Sequence, residues 1–222
     1  VEHRENFERL WNLASEKDKQ LAIASYSKYQ RITYQIAGKH GFPGVVGAAV
    51  FAALSPNNDF WGNLRDTDEL LRAAQAGLSL DQFSVSTYGN NKRKAWRIVH
   101  GEDPDVLIVA LKTRNFFHNI TEPDNPNWVT VDGHMYNIFT GIRRRIQSRN
   151  PAERVVKVTT KEYVIIATAV KDYAAEKGLV PCAMQGVLWQ TWRRLHRIRS
   201  SPQLDLWDRD YLEARLGFVA CS

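Results

Sequence analysis

Cysteine is almost absent from this chain. The two present, Cys182 and Cys221, supply neither a disulfide framework nor a four-thiolate cluster. Histidine is sparse and scattered, at positions 3, 40, 100, 118, 134 and 196, with no spacing that suits a zinc ligand set. No metal and no cofactor are therefore expected. The longest apolar run, Val45 to Leu54, is too short to cross a bilayer. Alternating strand patterns, internal repeats and low-complexity linkers are all missing. The opening segment is charged and amphipathic, so no signal peptide is expected, and a soluble, reducing, cytoplasmic setting follows.

What is present is a basic, helix-forming sequence. Hydrophobic residues make up 44% of 222 positions, the formal net charge is +6 and the pI is about 9.4. That balance suits a globular chain with a polyanionic partner. Phe7, Leu10, Trp11 and Ala14 recur at helical spacing. A second helix is predicted over 18–38, with Tyr29, Ile32 and Ile36 on one face and a stop at Gly38 to Gly44. Residues 45–54 are apolar all round, as in a central buried helix. Further helices are predicted over 64–76, 92–99, 103–110, 112–119, 133–147, 160–176 and 185–199. The expected fold class is all-α.

The segment from Val109 to Gly141 carries the chemistry. Lys112 stands at the start of one predicted helix and Asp132 at the start of the next, about twenty residues on, with a proline-bearing loop between them. Asp132 suits two roles. An aspartate before a helix is a favoured N-cap; a carboxylate also stabilises positive charge on a sugar and activates a nucleophile. A cap would pin that carboxylate at a helix end, so the roles are compatible. Lys112 is either a solvated lysine, one touching phosphate, or, if desolvated, a nucleophilic amine.

Three ordered segments then resemble one family. Leu54-Ser55-Pro56-Asn57-Asn58-Asp59 is similar to a loop that follows a buried helix and enters DNA. Tyr88 to Val99 is similar to a turn whose basic residues open a helix. Lys112-Thr113 followed by Val131-Asp132-Gly133-His134 is similar to a catalytic lysine and a V-D-x-H aspartate segment. Together they resemble the helix-hairpin-helix base-excision DNA glycosylases, over about residues 45–145; Ile108, Val109, Ala110 and Leu111 stand where that family's hairpin has glycines. The resemblance implies one domain of two helical subdomains flanking a cleft, about 45–125 and 1–44 plus 126–222. It implies a cofactor-free, monomeric enzyme that extrudes a base from double-stranded DNA and cuts its bond to deoxyribose.

In that reading Asp132 and Lys112 are catalytic, and a Schiff base on Lys112 would add strand cleavage. Asn57 and Asn58 fill the gap left by the base, or else form an Asx turn. Phe60 and Trp61 stack on the base, or else join the core. His134 and Tyr136 line the pocket, though His134 also suits an interior position. Lys92, Arg93, Lys94 and Arg114 hold the DNA backbone. Basic residues gather at 92–97, 143–149 and 193–199, a pattern that suits phosphate tracking or solvated helix faces. The substrate expected is DNA with a modified base, in a bacterial cytosol or phage-infected cell. A bulky phage-type base such as glucosylated hydroxymethylcytosine is the specific expectation, removed in antiviral defence. Two alternatives stand beside it: a transferase that modifies hypermodified pyrimidines in DNA, and a non-catalytic DNA-binding module.

Overall fold

The computed structural model describes residues 2–146 and 155–198. Among them are ten α-helices, one 3-10 turn at Leu80–Gln82 and no strand, so the fold class is all-α. The chain divides into two compact units, Val1–Ile32 with Pro104–Ile198, and Thr33–Asp103. The sequence reading sets its boundaries near 44 and 125 instead. Lys112 and Asp132 fall in the same unit.

The unit holding both residues contains α1 (Glu2–Leu13), most of α2 (Glu16–Lys39), α6 (Pro104–Leu107), α7 (Leu111–Thr121), α8 (Gly133–Thr140), α9 (Thr160–Glu176) and α10 (Pro181–Leu195). Phe7 and Leu10 of α1 meet Met135 and Ile138 of α8, Ile166 and Val170 of α9, and Leu188 and Trp192 of α10 in one buried cluster. Removing such apolar area from water is what holds four helices together, at about 25 cal/mol per Å². α9 begins with a full capping box between Thr159 and Glu162, which fixes its first turn. Gly186 faces Ala22 across α10 and α2, where an added Cβ would come within 3.3 Å of the alanine methyl.

Two helices of this unit, α8 and α10, depart most from their predicted extents. α8 stops at Thr140 because Gly141 takes a left-handed conformation (φ 69) as its C-cap, a state glycine adopts at little cost. Residues 142–146 then run back without helix, tied by the Asn137 amide to the Arg144 carbonyl (2.8 Å). Ile146 lies directly over Gly133, where a Cβ would sit 2.7 Å from its Cγ2. The predicted end at 147 lies outside the described residues, as do Arg149, Arg199 and Cys221. α10 begins earlier than predicted, since Pro181 occupies its first turn, where the missing N–H costs nothing.

The second unit is built on α3 (Gly44–Leu54), α4 (Phe60–Gln75) and α5 (Gly89–Val99), with the last turns of α2. α3 is buried from Gly47 to Leu54, as its uniform apolarity requires. Gly47 lets α3 approach the α2 backbone at Thr33; a Cβ there would also meet the Ala37 methyl at 2.8 Å. α4 starts four residues before its predicted start because Asp59 caps it, accepting from Gly62 N (2.9 Å).

Candidate functional site

A short non-helical segment, residues 128–131, delivers Asp132 to its place, and it is held almost entirely by side chains. The Asn119 amide of α7 donates to Trp128 O (2.9 Å) and accepts from Thr130 N (3.2 Å). Asn115, one turn earlier, accepts from Val129 N (3.3 Å) and donates to Leu111 O (2.9 Å). From α9, the Tyr163 hydroxyl donates to Val129 O (2.7 Å) and accepts from Val131 N (3.2 Å). Buried backbone groups must find partners; here two asparagines and a tyrosine supply what a sheet would. These bonds register the approach to Asp132 against α7, which carries Lys112 in its first turn.

Asp132 caps α8: Oδ1 accepts from Met135 N at 2.9 Å. Its second oxygen, Oδ2, accepts from the Trp189 indole N–H of α10 at 3.1 Å. The cap and the functional carboxylate foreseen at this position are thus both geometrically open. Two hydrogen bonds use half of the roughly four acceptor positions a carboxylate offers, and the residue is half-buried rather than sealed.

The groups around it are mostly cationic. The Arg193 guanidinium lies over the Trp189 ring, 4.3 Å from its centroid, and His134 meets the same indole edge-on at 6.0 Å. The His134 Nδ1 is buried without a hydrogen-bond partner. Burial holds the His134 imidazole below its ordinary value. Asp132 opposes that shift, while Arg193, Lys112 and Arg143 reinforce it. His134 is therefore neutral at neutral pH, and Lys112, Arg143, Arg193 and Asp132 all lie within electrostatic reach of one ring. Arg193 is itself lowered by burial, against the pull of Asp132 and Tyr29. Tyr29 stands over Tyr26 and Phe116 in an edge-to-face aromatic group, and burial raises its phenol to about 12.

Lys112 is exposed, which departs from the desolvated amine that nucleophilicity would favour. The α6–α7 turn projects outward, with Val109 68% and Leu111 36% exposed. Tyr136 is half-buried, with the Arg144 guanidinium 5.7 Å from its ring centroid. Arg114 does not stand free for a phosphate: it pairs with Asp105 at 3.3 Å, which also binds His118 Nε2 at 2.9 Å. His118 in turn stacks on Trp128 at 4.1 Å.

The remaining predicted residues lie in the Thr33–Asp103 unit. Asn57 is exposed at the loop after α3, left-handed (φ 58), and its amide donates to the Tyr88 hydroxyl at 2.8 Å. Tyr88 is 62% exposed. Asn58 instead turns inward, donating to the buried Asp66 carboxylate at 2.8 Å; Asp66 also accepts from Ser86 N (2.8 Å) and Ser86 Oγ (3.1 Å). One carboxylate thereby joins the loops at 55–58 and 86–88. Phe60 is in the core, edge-to-face with Phe51 at 5.8 Å and with the half-buried Trp61 at 5.5 Å. The Lys92 ammonium is occupied, donating to Leu80 O (2.6 Å) and to Phe83 O while lying 4.0 Å over the Phe83 ring. Arg93 is exposed and bonds Asn90; Arg97 pairs with Glu102. Lys94 is half-buried.

Sequence reasoning missed Asn115, Asn119, Tyr163 and Trp189. The asparagines had a signal, since positions four apart share one helix face. So did Trp189 and Arg193, again four apart. Nothing local marks Tyr163 as a partner for a segment more than thirty residues away.

Among the described residues no three His, Cys, Asp or Glu side chains gather so as to hold a metal ion, and no helix is long and apolar enough to cross a membrane. The chain belongs to a family of unknown function, DUF7178, whose model matches residues 2–196. No curated protein and no solved structure matches it.

Proposed function

We propose that this protein is a DNA glycosylase, a divergent member of the helix-hairpin-helix group, which extrudes a modified base from double-stranded DNA and hydrolyses its bond to deoxyribose. The observation that carries the reading is the Asp132 carboxylate. It is half-buried, fixed by donors from α8 and α10, and within reach of the same imidazole as Lys112, Arg143 and Arg193. Loss of the base builds positive charge on the sugar ring, and a fixed anion stabilises that charge without reorganising as the bond breaks. The cations around it suit the phosphodiesters flanking the extruded nucleotide.

Water attack is the better supported route, because Lys112 is exposed and so lacks the desolvation that would favour an amine nucleophile. In that route Asp132 orients the water and Lys112 meets phosphate. The test is incubation with phage DNAs bearing different modified bases, with free bases and abasic sites read by mass spectrometry. Free base from one modified DNA is the expected result. A second reading, a DNA-binding module without chemistry, is favoured by the intramolecular use of both Asp132 oxygens; it predicts retained DNA and no released base.

A further inference from the structure

We infer that Trp189 is a positioning residue for the Asp132 carboxylate, its indole N–H and the α8 backbone amide each holding one oxygen so that the group keeps a single orientation. The inference rests on the reading of Asp132 as the reacting group. A carboxylate bonded through one oxygen alone still rotates about its Cβ–Cγ bond. Here Oδ1 is held by Met135 N at 2.9 Å and Oδ2 by Trp189 Nε1 at 3.1 Å, and the donors come from different helices. The second donor is itself fixed. Arg193, one turn further along α10, lies 4.3 Å over the indole, and His134 closes on it edge-to-face at 6.0 Å. An indole N–H donates and cannot accept, so this arrangement is suited to an anion and to nothing that presents a hydrogen there. A simple helix cap needs only the Met135 bond; the Trp189 bond is surplus to capping and is explained by orientation.

Trp189→Phe tests this, because it removes the donor while keeping a six-membered aromatic face for Arg193. Single-turnover base release should slow by about 10- to 100-fold, the scale of a misplaced reacting group, with the affinity for modified DNA unchanged. Unaltered release in Trp189→Phe overturns the inference. Should the unmutated protein release no base from any DNA, the glycosylase reading fails, and the positioning contact is then judged by stability. Asp132→Asn turns an amide N–H toward the indole N–H. The lost ring volume costs the same in both backgrounds, so Trp189→Phe should lower the melting temperature of the unmutated protein by about 2–4 °C more than that of Asp132→Asn, a single hydrogen bond's worth in a chain this size. Equal shifts in both backgrounds overturn the inference. If Trp189→Phe does not fold, the indole ¹H–¹⁵N resonance of Trp189 decides: it moves upfield in Asp132→Asn if the bond exists, and stays where it is if it does not.

Discussion

Replacing Tyr163 by Phe removes one oxygen atom and tests how the site is held. The hydroxyl donates to Val129 O and accepts from Val131 N, and the residue is 6% exposed, so water cannot take its place without repacking. Phenylalanine keeps the ring in the cluster with Val129, Val131 and Met135, which confines the change to hydrogen bonding. Each buried backbone group left without a partner costs about 1–3 kcal/mol, and partial relaxation of the segment brings the pair to about 2–4 kcal/mol. At about 2–4 °C per kcal/mol for a chain of this length, the melting temperature should fall by roughly 5–15 °C. Thermal unfolding followed by far-ultraviolet circular dichroism reads this directly. Ile166→Val, on the same face of α9 and also buried, is the packing control, expected to cost about 0.5–1.5 kcal/mol. Since the same bonds fix the approach to Asp132, Tyr163→Phe should also slow base release. A drop in melting temperature below about 2 °C would show that the hydroxyl does not carry the 128–131 segment, and the registration of Asp132 against α7 would need another cause.

Lys112→Ala should leave base release measurable and weaken DNA binding more at low salt than at high, since an exposed lysine meets phosphate; a borohydride-trapped adduct in the unmutated protein, absent in Lys112→Ala, would instead establish a Schiff base. Gly47→Ala should destabilise the protein by about 1–3 kcal/mol, the usual cost of overpacking, because its methyl would press on Thr33 O and Ala37; an unchanged melting temperature would show that α2 and α3 separate freely. Stability should also fall in mild acid. Burial lowers the folded-state value of His134, and those of His3 and His196, beneath the ordinary 6.5. As pH falls below 6.5 the unfolded chain takes up these protons first. The stability tied to the neutral rings is complete above that value and is lost as pH drops toward the folded-state values. His134→Gln should flatten the loss in urea titrations between pH 7 and 5, and an identical slope would remove His134 from the account.

Much of the helical frame is legible in the sequence because it is written locally. The 3.6-residue spacing of Tyr163, Ile166, Val170 and Ala174 gives α9 with both ends correct, and the apolar run 45–54 gives the buried α3. Where boundaries shift, one residue's chemistry is responsible: Asp59 capping α4, Gly141 ending α8, and Pro181 opening α10. Asp132 is legible as a cap for the same reason, its bond reaching only three residues ahead. The rest of the site is not, because its partners are remote. Trp189 lies 57 residues from Asp132. Lys92 and Arg114 read as phosphate ligands in sequence, yet the fold commits one to the Leu80 and Phe83 carbonyls and the other to Asp105. Asn57 and Asn58 are adjacent and alike, but only the fold separates an exposed tip from a brace on Asp66.

The most direct measurement is base release from modified phage DNA by the unmutated protein and by Asp132→Asn, with binding to the same DNA followed in parallel. A fixed carboxylate as the reacting group predicts free base from the first protein, none from the second, and equal retention of DNA by both. Undiminished release by Asp132→Asn would contradict it, and so would the absence of free base from every modified DNA that the unmutated protein binds.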